Sequence, residues 1–147
     1  MPLKVGDKAP DFTLFNQDAK SVSLSNYKGN NIVLLFFPFA NSSVCTAEME
    51  QIRNNYEKYN NLNASIIGVS VDSHYALKMW NEKNNFDFPL LSDFNKEVSA
   101  KYNYKGVSKR SAFVIDKEDK IRYLEICNSP ANQPDYNAIE KVLNELK

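Results

Sequence analysis

Cys45 stands where one pattern ends and another begins. Asn31 to Phe37 is an apolar, partly β-branched run bounded by Gly29 and Pro38, and from Ser43 onward the apolar positions recur at helical spacing. A cysteine in the first turn of a helix meets unpaired backbone N–H groups and the positive end of the helix dipole, which stabilise an anion without a metal. Such a thiol is expected to ionise near neutrality. The plain alternative, a small apolar residue on a helix face, describes most unpaired cysteines. The neighbours of Cys45 decide between the two. Pro38, Ser42 and Cys45 stand in the spacing Pro-x-x-x-Ser-x-x-Cys. That places a residue with a locked φ and no N–H, a hydroxyl that both donates and accepts, and a sulfur nucleophile at set distances.

This spacing resembles the peroxidatic-cysteine motif of the peroxiredoxins, a family of thiol peroxidases. Gly6 to Phe12 (GDKAPDF) resembles the family's opening and Phe88 to Asp93 (FPLLSD) its mid-chain segment, while Lys109 to Asp116 (KRSAFVID) resembles its Arg-bearing strand. The resemblance covers nearly the whole chain. It implies that Cys45 attacks one peroxide oxygen, releases water or an alcohol and becomes a sulfenic acid, which a thiol then reduces. Lowering a thiol pKa from about 8.5 to about 6 raises the thiolate fraction roughly twenty- to thirtyfold, about 2 kcal/mol. Enzymes commonly supply about 8 kcal/mol or more, so donors must also grip the peroxide as charge builds on the leaving oxygen. Ser42 and Arg110 are the candidates for binding substrate and for catalysis, and Pro38 joins them in both sets by shaping the loop and shielding the sulfur from bulk water. Glu48, one helical turn after Cys45, is matched in the family by an acidic residue or glutamine and is assigned a supporting role.

Cys127 ends a strand before Asn128-Ser129-Pro130, and is either an inert core thiol or a resolving partner for Cys45. The family's usual resolving positions are not occupied. Glu50 stands five residues after Cys45, where the bacterioferritin comigratory protein-like branch has its second cysteine, and no Val-Cys-Pro tail is present. The pattern is nearest the alkyl hydroperoxide reductase E type, a one-cysteine mechanism. The implied reductant is an external thiol, whether thioredoxin, glutaredoxin or a low-molecular-weight thiol. A homodimer is implied as well, with the motif loops and the start of the helix after Ser73 in contact. Two other readings are a thiol-disulfide oxidoreductase, which normally needs Cys-x-x-Cys where this chain has Glu48, and a redox sensor that signals through Cys45.

The 147 residues suit a single domain spanning 1–147, large enough for a substantial core. Eighteen basic and eighteen acidic residues cancel, and no block of like charge points to nucleic acid or a membrane surface. The first residues lack an apolar leader pattern and Ile32 to Ala40 is too short to span a bilayer, so a soluble cytoplasmic protein is expected. Two cysteines and the single His74 offer no zinc ligand set, and four scattered glycines offer no phosphate loop. No cofactor and no metal are expected.

The elements that must position these residues follow from periodicity. Phe12 to Leu14 and Ser21 to Ser23 read as a hairpin, Asn31 to Phe37 as a strand buried on both faces, and Cys45, Met49, Ile52, Tyr56 and Tyr59 as one inward helical face. Ser65 to Val71 reads as a second buried strand. Ser73 caps a helix that carries Leu77 and Trp80 inward, and Asn95 to Tyr102 forms a short one. Ala112 to Ile115 and Ile121 to Ile126 make a second hairpin, and Asp135 caps a last helix with Tyr136, Ile139, Val142, Leu143 and Leu146 inside. His74 reads as a helix-start residue without chemistry, and Phe39 lies in the motif loop where it could line the entrance. The predicted class is α/β, a central mixed sheet flanked by helices with an N-terminal β-hairpin. The resemblance makes this a thioredoxin-like fold.

Overall fold

The computed structural model describes residues 3–27, 29–38, 43–86, 88–102, 110–127 and 132–146. Its centre is the apolar run predicted to be buried on both faces. Strand β3 (Asn31–Phe36) has every residue buried, runs parallel to β4 (Ala64–Ser70) and antiparallel to β6 (Ser111–Ile115). Strand β6 continues into β7 (Ile121–Ile126) through the charged turn, where Asp116 Oδ1 accepts from the N–H groups of Glu118 and Lys120. The hairpin of β1 (Thr13–Asn16) and β2 (Ser21–Ser23) joins the other side through β5 (Leu90–Ser92), giving a mixed seven-stranded sheet in the order β2-β1-β5-β4-β3-β6-β7.

Alternation along β3 divides the core into two layers. Val33, Leu35 and Phe37 face α1 (Ser43–Asn54), α2 (Tyr56–Asn61), α3 (His74–Asn84) and α5 (Tyr136–Leu146), against Met49, Ile52, Tyr59, Trp80, Ile139 and Leu143. Ile32, Leu34 and Phe36 face the N-terminal segment and α4 (Glu97–Tyr102), against Phe12, Val98, Tyr102 and Phe113. Helices on both faces of a mixed sheet are the layered arrangement the element order predicts. No helix among the described residues is long and apolar enough to cross a membrane.

Two details differ from the sequence reading. Strand β5 was not predicted: its three residues between Pro89 and Asp93 are too few to show a period, yet they join the N-terminal hairpin to the parallel core. The helix begun at Ser43 is also interrupted. Asn55 sits at φ −112°, ψ 15°, its N–H donates to Ile52 O and its Nδ2 to Gln51 O, so the side chain competes for the helix's own carbonyls. Tyr59 is nevertheless buried on the predicted face, because α2 resumes after one residue. The caps are as expected: Ser73 Oγ accepts from Ala76 N at 3.2 Å and Asp135 Oδ1 from Ala138 N at 3.1 Å.

Candidate active site

Strand pairing brings together residues that lie far apart in sequence. Phe36, the last residue of β3, pairs with Ser111, the first of β6, and Ser111 pairs with Ile126, the last of β7. The chain leaving β3 toward α1, the residue before β6 and the residue after β7 therefore share one edge of the sheet. Pro38, Cys45, Arg110 and Cys127 occupy that edge. Pro38 is buried where β3 ends, and Phe37 just before it donates its N–H to Val69 O at 3.0 Å.

Cys45 lies in the first turn of α1 and faces inward, fully buried, with Met49 and Ile52 on the same helical face. Its turn is fixed from α3: Trp80 Nε1 donates to Thr46 Oγ1 at 3.2 Å, and the Trp80 ring lies tilted against Phe37 at 5.1 Å between centroids. Position three after Cys45 on this face is Glu48, also fully buried.

Arg110 enters between them. Its Nη2 donates to Cys45 Sγ at 3.0 Å, and Nη1 makes a buried hydrogen-bonded ion pair with Glu48 Oε2. Burial works against the guanidinium charge, but Glu48 and Cys45 beside it outweigh that and hold Arg110 above its usual range. A permanent cation therefore touches the sulfur. Glu48 is the reverse case: burial pushes its carboxyl up to about 7, with Arg110 pulling down and Glu125 adding to the rise. Among the described residues its buried Oε1 has no hydrogen-bond partner.

Cys127 lies nearer this cluster than its place at the end of another strand suggested. Its N–H donates to Arg110 O at 2.9 Å, so the two residues are ladder neighbours. Its thiol is pushed up to about 11 by burial, with Glu125 and Glu48 adding to the rise and Arg110 opposing. Such a thiol remains protonated at neutral pH. Neither cysteine is in a disulfide.

Cys45 and Arg110 thus meet as the sequence suggested, and Pro38 stands at the same edge. Ser42 and Phe39, the other residues singled out in the loop, lie outside the described residues. The sequence reading underrated Glu48, which is the direct partner of Arg110. The available signal was an acid three residues from the cysteine on an inward helical face, a place that acids rarely occupy unpaired. Glu125 was missed altogether; its Oε1 accepts from Tyr123 Oη at 2.8 Å and from Asp135 N at 2.9 Å. No group of acids, histidines and cysteines that could hold a metal ion occurs among the described residues.

A seven-stranded mixed sheet with helices on both faces, carrying a buried cysteine at a helix start against an arginine, defines a thiol oxidoreductase of thioredoxin-like architecture. The model of the AhpC/TSA family matches residues 5–124. Alkyl hydroperoxide reductase E of Mycobacterium tuberculosis is 37% identical over 131 residues, covering 84% of this chain and 86% of that protein. A thiol peroxidase of Oceanobacillus iheyensis is 35% identical over 148 residues, covering 97% and 89%. The solved structure of peroxidoxin BcpB from M. tuberculosis superposes with a TM-score of 0.88 at 27% identity over 99% of both chains. The chain belongs to the AhpC/TSA family, and with it to the thiol-dependent peroxidases.

Proposed function

We propose that Cys45 is the peroxidatic cysteine of this peroxidase, that Arg110 acts on both the sulfur and the peroxide, and that Pro38 and Ser42 complete the substrate site. The observation that carries this reading is the 3.0 Å contact of Arg110 Nη2 with Cys45 Sγ inside a buried site. A fixed cation against the sulfur favours its thiolate, the form that attacks. The thiolate forms a bond to one peroxide oxygen as the O–O bond breaks, giving a sulfenic acid and, after protonation, water or an alcohol. Charge leaves the sulfur and gathers on the departing oxygen. A guanidinium with five donors can follow it, holding the sulfur with one N–H while others meet the oxygen.

Recycling falls to an external thiol, for which thioredoxin, glutaredoxin and small thiols are the candidates. The high-lying, buried Cys127 thiol supports this, since a resolving cysteine attacks as thiolate. Substitution of Cys45 by serine, which removes the nucleophile with little change of volume, is expected to abolish peroxide consumption while the fold survives. A cytoplasmic location suits an enzyme that needs a reducing thiol pool.

The same proposal includes a homodimer. Phe15, Tyr75 and Phe94 are 52%, 71% and 65% exposed, and all three border a cleft of about 550 Å³ with Ser73 and His74 at the start of α3. Exposed aromatic rings gathered in one place mark an interaction surface. It lies beyond the carboxyl ends of β4 and β5, at the same edge as Cys45, in keeping with contact through the start of α3 and the motif loops.

A further inference from the structure

Two acids share one base in the buried cluster. Arg110 touches Cys45 Sγ with one nitrogen and Glu48 Oε2 with another, and all three side chains are buried. If both acids were ionised, two negative charges would face the Arg110 guanidinium in a buried site, where an uncompensated charge is costly. Two groups coupled in this way hold a proton between them. With Cys45 as the thiolate, Glu48 is the group that keeps it. Among the described residues its buried Oε1 has no hydrogen-bond partner, an expensive place for half of a carboxylate charge. Glu125 of β7 opposes its ionisation, and among the described residues Cys127 and Tyr136, the other titratable groups that sense Glu48, bring no cation. Among the described residues Arg110 is what acts in favour of the charge, and burial still pushes the carboxyl up to about 7.

We infer that Glu48 is the proton store of the peroxide reaction, neutral while Cys45 is a thiolate and ionised once Cys45 has become a sulfenic acid. The inference rests on Cys45 being the nucleophile. In the step itself the sulfur loses two electrons and gains an S–O bond, and the peroxide O–O bond breaks with the electron pair leaving on the second oxygen. That oxygen needs a proton. The sulfenic acid carries no charge, so Arg110 loses the anion at the sulfur, and the Glu48 carboxyl then becomes the more favourable anion to pair with it. Thiolate, carboxylic acid and hydroperoxide go to sulfenic acid, carboxylate and alcohol or water. The cluster keeps one anion against one cation throughout, and the reaction draws no net proton from solvent. Glu48 acts through the charge of Arg110, as a positioning residue that also balances the proton.

Proton uptake tests this directly. Reduced protein is mixed with one equivalent of hydrogen peroxide in weak buffer containing a pH indicator, and thiolate ultraviolet absorption is followed alongside. At about pH 6, below the Glu48 transition, the wild type should lose thiolate absorption with almost no proton uptake, whereas Glu48→Gln should take up one proton per thiolate lost. At about pH 9, with Glu48 already ionised, the wild type should also take up one. Full uptake by the wild type at the lower pH, or equal uptake by the two proteins, overturns the inference. Should Glu48→Gln not fold, infrared difference spectra of the wild type decide: the carbonyl band of a protonated carboxyl must disappear on oxidation, and its persistence overturns the inference. Absence of any Cys45 oxidation overturns the nucleophile assignment and this inference together, an outcome distinct from oxidation with full uptake.

Discussion

Arg110 has two tasks that a single substitution can separate. It neutralises charge at the Cys45 sulfur, and it offers further N–H donors to an oxygen that becomes negative only as the O–O bond breaks. Arg110→Met keeps much of the apolar stem and removes both. Compared at a pH where each protein is wholly thiolate, the variant should still react with peroxide more slowly, by roughly 100-fold if the loss matches that of one transition-state donor. Equal rates there would reduce Arg110 to an effect on ionisation. Cys127 gives the contrasting case. Its thiol stays protonated, so Cys127→Ser should leave turnover with an external thiol nearly unchanged. After one equivalent of peroxide, mass spectrometry should find added oxygen on Cys45. Linked Cys45 and Cys127 peptides from a monomeric band would contradict the one-cysteine mechanism.

At the scale of elements, the position of Cys45 depends on how closely β4 approaches α1. Gly68 in β4 makes that approach possible: a Cβ there would lie 3.1 Å from Phe37 Cε1, 3.2 Å from Leu90 Cδ2 and 3.7 Å from Met49 Sδ. These neighbours belong to the strand exit, to β5 and to the helix that carries the cysteine. Gly68→Ala should cost about 1–3 kcal/mol of stability by overpacking and should also lower the rate with peroxide, measurable by denaturant unfolding and single-turnover kinetics. An unchanged midpoint would show that the layer yields freely. Much at this level was legible from sequence. The apolar run of β3, the Ser73 and Asp135 caps and the inward face of Cys45, Met49 and Ile52 are local patterns, written in residues that decide their own conformation. Strand β5 and the break at Asn55 were not, because three residues show no period and one amide side chain can outcompete a helix bond. Arg110 was found through its sequence neighbourhood, but its pairing with Glu48 is set by the register of β3 with β6, which no local pattern encodes.

For the whole molecule, titration and assembly both give checks. Glu48 has a folded-state value near 7 against an ordinary 4.5, so its favourable contribution is complete below about pH 4.5 and is lost as pH rises through about 7. The full loss is on the order of 3 kcal/mol. Asp116 has the opposite sign. Burial works against its charge, but the N–H groups of Lys120 and Glu118 and the Arg122 side chain hold it below the usual carboxylate range, so its contribution is present above about pH 4 and disappears in more acidic solution. Between pH about 5 and 7 the wild type should therefore lose stability relative to Glu48→Gln; parallel curves would contradict the buried titration. Replacing Tyr75 by aspartate should shift sedimentation at micromolar concentration from dimer toward monomer, and a wild-type monomer would refute the proposed contact. The most direct test of the central claim is steady-state hydrogen peroxide consumption with a supplied thiol, wild type against Cys45→Ser. The account predicts repeated turnover by the wild type and none above background by a folded Cys45→Ser protein; retained turnover in that variant would contradict it.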